Sequence, residues 1–245
     1  MNIFRGKKLF IILAILILGI NIPILKLNDD KTTKIVKSVN ETIDISPKED
    51  ITKNKIKELQ EYYKNNDIEG IITIDGIKNF SYPIVKTKNN DYYLNHNYYK
   101  KYDPYGAIYA DYRVDLNTSS KILIYGHSST KKNVPFNELE SYYNKDYYKL
   151  HKYITIETNN AILKYEIFSV FIETSDFTYM NINFDDSNKW YAHLLKLKAK
   201  SMYETDANLT RDDDILILQT CSNNKNYRKY SKKYLLVVSR RVENE

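Results

Sequence analysis

From Ile71 to Ser239 the chain is cut into eight short runs rich in β-branched and aromatic residues, at 71–74, 82–85, 107–110, 121–125, 153–156, 161–172, 215–218 and 234–239. Turn-forming clusters such as Asp75-Gly76 and Thr158-Asn159-Asn160 bound them. A succession of this kind predicts a mainly β fold, an eight-stranded closed barrel. Helical periodicity appears in three places. Residues 51–65 set Ile51, Ile56, Leu59 and Tyr62 or Tyr63 at near-helical spacing, which predicts a short amphipathic helix packed on the domain. A second helical stretch is expected around Phe136 to Leu150. The clearest runs from Ser187 to about Tyr203, with Asp186 or Ser187 as N-cap and Trp190, Leu194, Leu197 and Met202 as its apolar side. That helix is inserted before the run that ends in the chain's only cysteine.

The N-terminus has a different texture. Arg5, Lys7 and Lys8 precede an uncharged stretch from Leu9 to Leu25, long for a signal-peptide core and at the short end for a spanning helix. No small-x-small cleavage pattern follows it, so an uncleaved signal anchor over residues 1–26 is favoured over a removed signal peptide. The basic flank keeps that end cytoplasmic and places the rest of the chain outside the cell. Residues 27–50 are polar and mixed in charge and read as a linker. Residues 51–245 then form one domain, which suits a chain of 245 residues.

The net charge of +6 is spread among interleaved acids and bases rather than gathered into a stripe, which argues against nucleic acid as a partner. It suits a protein lying against an anionic membrane or wall polymer. Most of the 24 tyrosines, several in doublets such as Tyr98-Tyr99, Tyr142-Tyr143 and Tyr147-Tyr148, read as amphipathic surface and rim residues.

Chemistry concentrates at two strand ends. Ile124-Tyr125-Gly126-His127 places a histidine just past one run, with Gly126 free to relax the backbone. Leu218-Gln219-Thr220-Cys221 places the single cysteine at the end of another. With no second cysteine, an extracellular domain cannot use Cys221 in an internal disulfide, so it is either a buried small apolar residue or a working thiol. A thiolate attacks carbonyl carbon, and an imidazole can take and return the proton. His96, His151 and His193 read instead as surface or packing residues. One cysteine with scattered histidines has no zinc-ligand spacing.

Taken together, residues 68–245 resemble the sortase family, its class B branch most closely. The resemblance rests on Gly70-Ile71-Ile72-Thr73-Ile74 with Tyr82-Pro83-Ile84-Val85, Asp91-Tyr92-Tyr93-Leu94, Gly106 to Arg113, Tyr125-Gly126-His127 and Leu218-Gln219-Thr220-Cys221, in that order, and on the helix from Ser187. It implies a membrane-bound cysteine transpeptidase acting outside the cell without a metal or other cofactor. Such an enzyme cleaves the sorting-signal peptide of a secreted surface protein after its threonine, in a signal of the Asn-Pro-x-Thr type. It holds the product as a thioacyl adduct and passes it to an amine of the peptidoglycan precursor. His127 and Cys221 match the family's catalytic pair.

Two positions depart from the pattern. The arginine expected at the start of the last strand aligns with Tyr234, which leaves Arg228, Lys233 or Tyr234 to replace it. Arg228 is slightly favoured because a guanidinium donates two parallel hydrogen bonds. Gln219 stands where a small residue is usual, and could narrow the groove or bond the peptide. The missing arginine also raises an alternative, a catalytically weak module that only binds peptide or wall material. A papain-like hydrolase is disfavoured because such folds usually place the cysteine before the histidine.

Overall fold

The computed structural model describes residues 48–243. The expected anchor (1–26) and nearly all of the expected linker lie outside these residues. Among the described residues no helix is long and apolar enough to cross a membrane.

Eight strands close into a barrel. They are β1 (Ile68–Ile74), β2 (Ser81–Val85), β3 (Tyr109–Ala110), β4 (Lys121–Tyr125), β5 (Tyr153–Thr158), β6 (Ile162–Glu173), β7 (Ile215–Cys221) and β8 (Tyr234–Val242). Their order around the ring is β1-β2-β3-β4-β7-β8-β6-β5, and the β1–β5 ladder completes it. All eight expected strands are present. The third is the shortest, because only Tyr109 and Ala110 of the 107–110 run find ladder partners, on β2 and β4.

Alternation sorts each strand into an inner and an outer face. Ile122 and Ile124 of β4, Leu216 and Leu218 of β7, and Leu235 and Val237 of β8 belong to the barrel core. The residues between them, including Tyr125, Gln219, Cys221 and Tyr234, therefore face outward. Gly76 makes the β1–β2 turn possible: its φ is +79°, and a Cβ there would come within 2.9 Å of the His151 ring.

The helices lie outside the ring. α1 (Lys48–Tyr63) begins at Lys48 rather than Ile51 and buries Ile56, Leu59 and Tyr63. Lys55 pairs with Glu157 of β5 at 2.8 Å. The stretch expected as one helix around 136–150 is two pieces, a 3-10 helix at Pro135–Tyr143 and the short α2 (Lys145–Leu150), divided at Asn144, which caps α2 from an extended conformation. α3 (Ser187–Ala199) is capped by Asp186, whose carboxylate accepts from the backbone N–H groups of Asn188 and Lys189. Leu194 and Leu197 are buried as expected, whereas Met202 is exposed and lies past the helix end.

His193 is the helical residue that periodicity left out of the apolar side, and it is buried too. Its Nε2 lies 2.7 Å from Nζ of Lys121, which also donates to the Asn181 carbonyl at 2.7 Å. Burial and then the Lys121 charge lower the His193 pKa to about 3, so the ring is neutral; burial also brings the Lys121 pKa down to about 7, so below that pH an ammonium donates to the ring. In the unfolded chain the imidazole returns to 6.5. Below that value the unfolded chain binds a proton that the folded one refuses, so stability falls as pH drops from 6.5 towards 3. Urea unfolding at about pH 7 and about pH 4.5 should show His193→Gln losing less stability on acidification than the parent, by about 2 kcal/mol. Equal losses would show that His193 does not govern the acid limb.

Candidate active site

The parallel pairing of β4 with β7 creates the site. Every partner in that ladder is 94 residues from its mate, from Lys121 with Ile215 (215 − 121) to Tyr125 with Gln219. His127 and Cys221 carry the same offset (221 − 127), two residues past the last pair on each strand. Parallel neighbours run about 5 Å apart and end at the same rim, so the backbone segments that carry the two residues leave the barrel side by side. The Ser128 hydroxyl donates to the Cys221 carbonyl, and the Gly126 N–H donates to the Gln219 carbonyl at 3.1 Å, tying the two strand ends together.

Gly126 serves a different purpose from the one its position suggested. Its backbone is not left-handed; a Cβ there would meet the Phe136 ring at 2.6 Å. The glycine lets the 3-10 segment press against the strand end that carries His127. That segment also supports the loop after β7. Tyr143 hydrogen-bonds the Ser222 hydroxyl at 2.8 Å, and Glu140 accepts from the Asn223 N–H at 2.8 Å.

His127 is half-buried, with Nε2 2.8 Å from the Leu94 carbonyl oxygen. A carbonyl only accepts, so Nε2 keeps its proton and Nδ1 is the nitrogen left to exchange one. Cys221 is exposed at the rim. Desolvation by the surrounding walls nevertheless pushes its thiol pKa up, and the charge of Lys233 pulls against that shift. The resting sulfur is therefore a thiol that needs a proton acceptor before it can attack.

The remaining histidines are structural. His96 stacks on Tyr92 with centroids 4.2 Å apart, and Nδ1 of His151 lies 3.0 Å from the Asp75 carbonyl.

One wall of the site is the segment between β6 and α3. Tyr179, buried in it, donates to Oε1 of Gln219 at 2.7 Å, so the unexpected glutamine is clamped by the wall and keeps its amide nitrogen for other partners. The wall is anchored at both ends. Asp176 takes Lys196 at 2.7 Å and Lys200 at 2.8 Å, which holds its carboxyl well below the usual carboxylate range and fastens the segment to α3. Buried Asp111 accepts from Arg113 at 2.7 Å and 2.8 Å, from Tyr125 at 2.7 Å and from Asn90 at 3.0 Å. Burial opposes its ionisation, but these bonds outweigh it and bring its pKa down to about 2. Arg113 in turn donates to the Met180 carbonyl at 3.2 Å, tying the segment after β3 to the wall.

The three candidates for the missing arginine sit differently. Arg228 is exposed at the C-terminal end of a 3-10 turn (Lys225–Tyr227). Lys233 is half-buried, with Nζ 3.4 Å from the Tyr230 carbonyl. Tyr234 is the ladder partner of Cys221 itself. A cavity of about 730 Å³ lined by Arg113, Lys121, Phe184, Trp190 and Arg211 is separate from this rim, and neither His127 nor Cys221 lines it.

Comparison with known proteins agrees with this architecture. The Sortase domain family matches residues 72–242. Sortase B of Listeria monocytogenes is 34% identical over 182 residues, covering 72% of this chain and 71% of that protein. Sortase B of Staphylococcus aureus is 30% identical over 160 residues, 65% of each chain. Among solved structures, a sortase B-like protein from Bacillus anthracis superposes with a TM-score of 0.67 at 31% identity, over 78% of this chain and 84% of that one.

Proposed function

This chain belongs to the sortase family, and from that premise we propose that it is a class B-like cysteine transpeptidase that joins secreted surface proteins to the cell wall, with Cys221 as nucleophile and His127 as its proton-transfer partner. The observation that carries the assignment of the pair is the shared 94-residue offset of the β4–β7 ladder, which supports a histidine and a thiol meeting on the barrel's outer face.

The chemistry follows from the state of the two groups. Nδ1 of His127 takes the Cys221 proton, and the sulfur attacks the carbonyl carbon of the threonine in the sorting peptide. The S–C bond forms and the carbonyl electron pair moves to oxygen. When that pair returns, the C–N bond breaks, and the leaving amine takes the proton from His127. The thioacyl enzyme is then attacked by an amine of the wall precursor, which gives its proton to His127 as the thiolate leaves, and His127 returns that proton to the Cys221 sulfur. Both groups are back in their starting state, and the second step rebuilds an amide bond.

The basic and apolar N-terminal segment supports a membrane anchor with the domain outside the cell. The test of the whole reading is to incubate the full chain in detergent with a small library of Asn-Pro-x-Thr-type peptides and a short amine acceptor. Mass spectrometry should find a thioacyl adduct ending in threonine and, with acceptor present, the transferred product. Peptide that stays intact would leave the binding-module alternative; hydrolysis unaffected by acceptor would point to a hydrolase.

A further inference from the structure

We infer that Tyr234 is a catalytic residue of this chain, its phenol O–H holding the substrate carbonyl oxygen as negative charge develops there. The inference rests on the transpeptidase reading above and adds to it the group that binds the oxyanion.

Register is the first argument. The β7–β8 ladder sets Cys221 directly opposite Tyr234. Directly opposed residues in an antiparallel pair point to the same side with Cβ atoms about 5 Å apart. That side is the outer face, because the adjoining pair, Thr220 with Leu235, points the other way and is buried. The ring therefore rises beside the sulfur, on the strand away from His127: β7 lies between β4 and β8 in the barrel order. A carbonyl carbon bonded to the sulfur would have the imidazole on one flank and the phenol on the other.

The second argument is that the phenol is held in place and chemically free. Its ring packs edge-on against Phe177 of the wall, with centroids 5.9 Å apart and an interplanar angle of 68°. Among the described residues its hydroxyl makes no hydrogen bond. Partial burial, and then the charge of a Cys221 thiolate, raise its pKa. It therefore remains a protonated donor at the pH where the sulfur works. A donor already fixed where charge will appear is what stabilises an oxyanion.

Lys233 and Arg228 fit other tasks. The Lys233 charge is felt at Cys221, where it favours the thiolate, but as a point charge it does not orient a carbonyl. Arg228 lies in the exposed loop with no ladder position relative to the sulfur.

During attack the S–C bond forms and the carbonyl oxygen takes the displaced electron pair. Tyr234 donates a hydrogen bond to that oxygen and keeps its proton. The bond relaxes when the intermediate collapses and the amine leaves with the proton from His127.

The test uses the full chain in detergent and a sorting peptide cleaved by the parent protein. Tyr234→Phe should lower kcat for thioacyl formation about 100-fold, with KM changed less than about threefold. Its Cys221 alkylation rate across pH should match the parent, which shows that the fold and the thiol are intact. Tyr234→Arg should recover most of the loss, because a guanidinium can donate to the same oxygen. Lys233→Met should instead slow alkylation by raising the thiol pKa. A Tyr234→Phe variant with more than about half the parental kcat would overturn the inference, as would a loss matched by an equal change in alkylation. So would a 100-fold kcat loss in Arg228→Gln with Tyr234→Phe unaffected. A parent protein that forms no adduct with any peptide would overturn the transpeptidase reading along with it.

Discussion

Replacing Cys221 with alanine is expected to remove thioacyl formation, lowering peptide cleavage by at least about 10,000-fold while the peptide still binds. The size of the effect comes from the absence of any substitute. Among the described residues Cys221 is the only free thiol, and the rim offers phenols, amides and amines but no second nucleophile of comparable strength. Removing the sulfur leaves the wall and the carbonyl-binding group in place, so binding and turnover should separate. Fluorescence anisotropy of a labelled peptide would report binding, and intact-mass measurement of the protein would report the adduct. Cleavage above about 1% of the parental rate would take the nucleophile away from Cys221.

His127→Ala is expected to lower turnover about 1,000-fold, within the usual span for general acid–base groups. Desolvation keeps the Cys221 proton in place, so loss of the imidazole removes both the acceptor for that proton and the donor for the leaving amine. Activity of the variant should then climb steadily with pH as the thiolate fraction grows, without the inflection that an imidazole gives. Added imidazole should restore part of the rate. A loss of only a few fold, or a pH profile identical to the parent's, would move the proton transfer to another group.

How far the sequence reveals this molecule depends on the range of the interaction concerned. The eight strands are legible because alternation and β-branched runs are local signals, and the Asp186 cap of α3 is legible for the same reason. The neighbours of each strand are not. Nothing near Lys121 or Ile215 announces that they pair, and that pairing turns the spacing of His127 and Cys221 from an incidental number into a ladder offset. Gly126 illustrates the same limit: its reason is the Phe136 ring, which arrives only with the tertiary fold. The tyrosines were the least legible group. Most read as surface or rim residues, yet Tyr93, Tyr142, Tyr148, Tyr165 and Tyr179 are wholly buried. A phenol can enter a core when its hydroxyl finds a partner, as Tyr142 does at the His151 carbonyl (2.8 Å) and Tyr93 at Asp67 (2.8 Å). Such partners lie on other elements, beyond the reach of the local pattern. A packing role was one of the two readings for His193, but its Lys121 partner is illegible for the same reason.

Ring closure has a consequence for how an extended peptide can be held. An open sheet presents a free edge, and many peptide-binding proteins use one by adding the ligand as an extra strand. Here β1 meets β5 and β7 is flanked by β4 and β8, so the strand bearing the sulfur has a neighbour on each side and no free edge along its ladders. A client chain arriving at this barrel must be gripped by side chains and loops instead. Selectivity then lies in a few outward-facing residues and in the segments on either side of them, which can change without disturbing the ladders. The same closure denies a foothold to unrelated extended segments, an advantage for a protein that must handle unfolded tails without sticking to them.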